Sequence, residues 1–291
     1  MSLFETATRE KAKLRLALTG PSGAGKTLSA LYIAFGMTGD WSKVALIDTE
    51  HKRGKFYVNR SDLNTGVFMY AELTPPYSAE RYKDYVIEGC KVVGADGVVV
   101  VDSFSHAWNN EGGVLDYKDT IAAKSGKNSY TAWNEAGKVQ NSLVNTILAV
   151  DCHTIVTMRS KMEYVMEENE KGKQQPVKVG LAPIQREDTE YEFDIVLDIA
   201  RSHIAVASKD TTFLDKFGAI ITPELGSQLK AWLDDGVDPE RCADCDLVIN
   251  AAFGKTSAEI IAGTIKAYSR QLCISCASNA KEALKTKEEG K

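Results

Sequence analysis

Short runs of β-branched and apolar residues alternate along this chain with segments whose apolar positions recur at helical spacing. Residues 14–19 (LRLALT) predict a buried strand that runs straight into a glycine-rich stretch, and Leu28 to Gly36 predicts the helix after it. Val44 to Ile47 predicts a second strand, ending in Asp48-Thr49-Glu50. Ser78 to Val93 reads as an amphipathic helix, and Gly97 to Val101 as an almost purely valine strand ending at Asp102. Ala132 to Val150 is again helical in period, and His153 to Met158 follows as a strand. Strands that are apolar on both faces and separated by helices are what a parallel sheet covered on both sides requires. The expected fold is therefore α/β, a doubly wound and mostly parallel sheet. Ile195 to Ile199 and Ile204 to Ala207 supply its last strands. Two polar segments interrupt the pattern, Asn109 to Tyr130 and Ser160 to Arg186. In the second, Met162 to Met166 and Pro176 to Val179 flank a Glu-Lys-Gly-Lys turn and suggest a hairpin. Asp234 to Pro239 reads as a linker, which sets the expected organisation: a main domain over 1–236, a small module over 237–280 and a charged flexible tail over 281–291.

Composition changes this picture in only a few places. With 291 residues there is room for one large domain and an appendage. The net charge of −5 argues against a uniformly basic nucleic-acid coat but leaves room for a local basic groove. No apolar run reaches membrane-spanning length, and the start MSLFETATREKAK is charged, so no membrane association and a cytoplasmic location are expected. In a reducing compartment the six cysteines are metal ligands or core residues rather than disulfides.

The glycine-rich stretch is GPSGAGKT: Gly20, Pro21, Ser22, Gly23, Ala24, Gly25, Lys26 and Thr27. Its GxxxxGK[ST] spacing between strand and helix places backbone N–H groups around phosphates at a helix N-terminus. Lys26 would reach the β- and γ-phosphates of ATP, and the Thr27 hydroxyl would ligate Mg2+. Asp102, at the end of the valine strand, would hold the same magnesium. Ser103 stands where many P-loop motors carry their water-activating Glu. Glu50, past the end of the second strand, is the carboxylate left to orient and deprotonate water.

With these residues in place, the chain resembles the RecA-like ATPases, and most closely the compact phage-encoded RecA-like annealing or recombination proteins. The segments VALIDTEHKRGKFY (44–57), VVVVDS (98–103) and LAPIQREDTEYEFDIVLDI (181–199) carry the resemblance, which covers about residues 12–233. It implies that TIVTMRSK (154–161) is the sensor strand, where the family's usual amide is replaced by Thr157 and Arg159, with Arg159 as the γ-phosphate sensor. It implies a homo-oligomer, a ring or filament, in which Lys209 acts on a neighbour's nucleotide; Phe4-Glu5-Thr6-Ala7 resembles a filament tether, and a helix start capped by Thr6 is the other reading of those four residues. It also implies single-stranded DNA as partner, alongside a single-strand-binding or replication protein. The two polar segments would then be DNA-binding loops, through Lys118, Lys124, Lys127 and Tyr130 in the first and Lys161, Tyr164, Lys171, Lys173, Lys178 and Arg186 in the second. Glu167, Glu168 and Glu170 in the second keep a solvated hairpin tip open as the other reading. A P-loop deoxynucleoside kinase and an ATP-gated regulatory protein are the competing functions.

Cys242-Ala-Asp-Cys245 and Cys273-Ile-Ser-Cys276 form a doubled CxxC. Two such pairs complete a four-thiolate, structural Zn2+ site with no open ligand position. The intervening Ser257 to Arg270 reads as a helix within that module. Cys90 and Cys152 read as core residues.

Overall fold

In the computed structural model, which describes residues 7–125, 129–168 and 174–289, strand β1 (Arg15–Gly20) buries all six of its side chains. So do β2 (Val44–Asp48) and β4 (Val98–Asp102), all five of each. The unbroken apolar runs thus became central strands. Residues 13–232 form one compact unit, built on a sheet whose order is β3 (Met69–Glu72), β2, β4, β5 (His153–Glu168), β1, β7 (Ile195–Ile199), β8 (Ile204–Asp210) and β9 (Gly218–Ile220). Pairing is parallel from β3 through β7 and antiparallel from β7 to β9.

Helix α1 (Lys26–Thr38) packs on β4 and β5. On the opposite face, Tyr82 and Val86 of α2 (Ala79–Val93) and Leu143 and Ile147 of α5 (Ser129–Ala149) join Val99, Val101, Val156 and Met158 in one core cluster. Cys152 lies in that cluster and Cys90 packs against it, as expected of core cysteines. Ser78 caps α2, its hydroxyl accepting from the Arg81 N–H. Helices α1 and α6 (Pro223–Asp234) meet backbone to backbone, because a Cβ on Gly36 would lie 1.8 Å from the Pro223 carbonyl oxygen. Gly36→Val is therefore expected to cost roughly 3 kcal/mol of stability, read as a lower midpoint in chemical denaturation. An unchanged midpoint would refute the close crossing.

The first polar segment departs from the expected loop. Most of it is helix: α3 (His106–Asn109), α4 (Val114–Ser125) and the start of α5. Its few apolar residues are well spent, since Val114, Ala132 and Ala136 are buried and Trp108 packs on Trp133. Lys118 sits over the Trp133 ring and pairs with Asp119. Lys124 falls on α4, and Tyr130 is exposed in the first turn of α5. The second segment is the expected hairpin, but longer. Strand β5 continues past the parallel sheet to pair with β6 (Gln174–Pro183). Lys127, the Glu170–Lys173 turn and Phe4 to Thr6 lie outside the described residues.

The second compact unit comprises the described residues up to Ala12 together with those from Leu233 onward, so the N-terminal arm groups with the C-terminal module. The Val237 N–H donates to Arg9 and its carbonyl accepts from Lys11, so the segment read as a linker is held by backbone pairing. Cys242, Ile249, Ile260 and Leu272 form the buried core here. Helix α7 (Ser257–Tyr268) opens with a Thr256–Glu259 capping box. Helix α8 (Ile274–Glu289) runs through what read as a flexible tail from residue 281, which is helical instead. No helix among the described residues is long and apolar enough to cross a membrane.

Candidate active site and metal centre

Four parallel strands end side by side at one edge of the main sheet. Gly20 of β1 aligns with Arg159 of β5, and Asp48 of β2 with Asp102 of β4. Because β5 lies between β1 and β4, its Thr157 and Arg159 fill the gap between the glycine loop and the two aspartates.

The loop takes left-handed conformations at Gly23 and Gly25, with φ of 81° and 90°, which only glycine adopts without strain. A Cβ on Gly23 would meet nothing within 4 Å, so the loop borders open space. Ala24 donates to the Pro21 carbonyl to close the turn. Helix α1 begins at Lys26 with no side chain capping its N-terminus. Its leading N–H groups are left for an anion, as a phosphate site requires. The Lys26 ammonium donates to the carbonyls of Gly20 and Pro21 at 2.8 and 2.9 Å. Burial lowers its pKa, while Asp102 and Glu50 pull it back up.

Asp102 is held by hydroxyls. Thr27 Oγ1 donates to its Oδ2 at 2.5 Å, and Thr157 Oγ1 donates to its Oδ1. Burial pushes the Asp102 carboxyl pKa up, against these hydrogen bonds. A hydroxyl and a carboxylate converging with oxygen donors alone suit a hard cation such as Mg2+.

Glu50 stands on a loop anchored by buried Asp48, whose carboxylate accepts from the N–H groups of Glu50 (2.6 Å) and Gly54 (2.9 Å). Arg159 Nε and Nη2 donate to Glu50 Oε1 at 2.8 and 2.6 Å. Arg53 reaches Oε2 at 3.3 Å. The structure thus gathers Lys26, Thr27, Asp102, Glu50 and Arg159 at one sheet edge. It does not bring Lys209 there: β8 pairs Lys209 with Val196, and its ammonium donates to the Tyr191 carbonyl.

Three supports escaped the sequence reading. His203, in the β7–β8 turn, bonds the Ala24 carbonyl oxygen through Nδ1 at 3.0 Å and stands 3.1 Å from where a Gly25 Cβ would be. Asp198 accepts from Thr19 just ahead of the loop. The third is Asp48 as the anchor of the Glu50 loop. No local motif marks the first two, because only the adjacency of β7 to β1 brings them to the phosphate loop.

In the second unit, the sulfurs of Cys242, Cys245, Cys273 and Cys276 all lie within 4.8 Å of one another. Cys245 and Cys273 are 3.7 Å apart. Four thiolates at about 2.3 Å from one zinc ion stand roughly 3.8 Å from each other, so the cluster is compact enough to converge on one such ion. Against burial, which raises it, backbone N–H groups of Cys273, Asp244 and Cys245 bring the Cys242 thiol down to about 6.

Compared with known families, residues 12–222 match the family model described as an AAA domain. No curated protein matches the chain.

Proposed function

The chain belongs to the AAA domain family, a family of P-loop ATPases, and on that premise we propose that it hydrolyses ATP with Glu50 as general base, coupled to single-stranded DNA in recombination, annealing or repair of the phage type. The observation that carries the hydrolytic part is that Glu50, just past β2, shares a sheet edge with the Thr27–Asp102 pair and is held by Arg159 of β5, the strand between β4 and β1. The loop Gly20–Gly25 and the first N–H groups of α1 take the phosphates, and Lys26 leaves its two carbonyls for the β- and γ-oxygens. Thr27 and Asp102 would hold Mg2+, which when bound neutralises phosphate charge as a Lewis acid. An attacking water forms a bond to the γ-phosphorus and gives its proton to Glu50. The bond from that phosphorus to the β,γ-bridging oxygen breaks, leaving ADP and phosphate.

Arg159 holds Glu50 Oε1 by two hydrogen bonds, and a γ-phosphate is the anion that would draw the guanidinium away. Arg159→Ala is therefore expected to slow hydrolysis by about 10²- to 10³-fold, the scale of losing one charge-stabilising donor. Faster hydrolysis in that variant would make Arg159 a restraint on Glu50 and remove it as a sensor.

The DNA part is supported by the RecA-like resemblance and by the β5–β6 hairpin, which leaves the sheet at the same Arg159. Lys209, remote from its own phosphate loop, would act only on a neighbour's nucleotide, in a ring or filament. The four cysteines would bind one structural Zn2+. Steady-state ATP hydrolysis with and without a long single-stranded oligonucleotide, at low and moderate salt, tests the reading. Stimulation that fades with salt is expected. Turnover indifferent to DNA, with no binding, would leave a bare ATPase.

A further inference from the structure

From His51 to Arg60 the chain reads HKRGKFYVNR, five basic or titratable-basic side chains and two aromatics with no acid among them. In a chain of net charge −5 this is a concentrated basic segment. It forms the loop that opens at Glu50, on the nucleotide edge of the sheet. His51, Lys52, Arg53, Lys55 and Arg60 are exposed. Phe56 stands at their centre and is 71% exposed, unusual for a phenylalanine on a well-anchored loop.

Anchoring is extensive. Asp48 binds the Glu50 and Gly54 N–H groups, and a Cβ on Gly54 would come 2.4 Å from Leu46 Cδ2. Further on, Asn59 N–H donates to the Gly66 carbonyl at 3.0 Å, and the Thr65 hydroxyl donates to the Tyr57 carbonyl. The ring is thus presented outward by a fixed backbone. Lys52 pairs with Glu72 at 3.5 Å, Arg53 with the mostly buried Glu50 at 3.3 Å, and Arg60 with Asp62 at 2.5 Å and with the Phe56 carbonyl at 3.3 Å, while Lys55 lies over Tyr70. The long Lys52–Glu72 pair, on a lysine that is itself well exposed, is weak and yields readily to a phosphate.

We propose that this loop is a stacking platform for single-stranded nucleic acid, with Phe56 taking a base and Lys52 and Lys55 the flanking phosphates. Charge complementarity selects a polyanion, and the outward aromatic selects one with flat bases. The proposal rests on the nucleic-acid part of the function above, but names a surface separate from the β5–β6 hairpin.

The test uses the full chain with Phe56→Trp, titrated with a long oligo(dT) in the absence of nucleotide, with wild type correcting for the four native tryptophans. Saturable fluorescence quenching specific to the variant is expected. Phe56→Ala and the double variant Lys52→Gln/Lys55→Gln should each weaken oligo(dT) binding by about tenfold, and the double variant should also flatten its salt dependence. If wild type binds but the indole introduced by Phe56→Trp stays silent and these variants bind normally, the platform is refuted while the hairpin reading stands. If wild type fails to bind oligo(dT), both fall together. If polyglutamate quenches the introduced indole as oligo(dT) does, the loop receives an acidic protein rather than nucleic acid, and the platform is refuted.

Discussion

Glu50→Gln is expected to bind ATP as the parent chain does and to hydrolyse it about 10²- to 10⁴-fold more slowly, the span that general-base catalysis supplies. The substitution keeps shape and hydrogen-bonding reach but removes the group that accepts the proton. Affinity should survive because the proposed phosphate contacts come from the glycine loop, Lys26 and Thr27, and the loop bearing Glu50 is anchored independently by Asp48. The comparison is a nucleotide-binding isotherm beside steady-state turnover. Loss of binding would mean that Glu50 holds the site together through Arg159. Unchanged turnover would mean that another group activates water.

Zinc removal should have the second large effect, confined to the C-terminal unit. Among the described residues, four make up its buried core cluster, and two of the four cysteines are only partly buried beside it. So small a core cannot offset the chain entropy of some fifty residues. A four-thiolate zinc site supplies about 10–16 kcal/mol of apparent binding free energy, which becomes folding free energy. Purified protein should carry one zinc per chain. Chelation, or Cys273→Ser, should release it and open the segment beyond Leu233 to proteolysis while residues 13–232 stay resistant. Resistance that persists without metal would show that the module folds on its own packing.

Much of the main unit was legible in the sequence because its determinants are local. The valine run 98–101 and VALI (44–47) have no polar face to turn toward water, so a central parallel strand satisfies them. The phosphate loop is equally local, since glycines at fixed spacing allow left-handed backbone and bring amides together. The doubled CxxC identified its four sulfurs because each pair is close in the chain whatever the rest does. The first polar segment departs from a loop for the opposite reason: its helices are held by a few apolar residues, Val114, Ala132 and Trp133, that a polar average hides. Likewise the tail from residue 281 is polar in composition yet continues α8.

What the sequence alone determined, then, is which short segments become strands, where the glycine loop meets its helix and which cysteines gather. What only the tertiary structure decided is which distant side chains meet. The order β2-β4-β5-β1-β7 brings Arg159 onto Glu50, Thr157 onto Asp102 and His203 onto Ala24, across 109, 55 and 179 positions of chain. It also keeps Lys209 away from the phosphate loop of its own chain. Such pairings depend on strand order and register, which arise from the summed burial of the whole sheet rather than from any residue's neighbours in the chain.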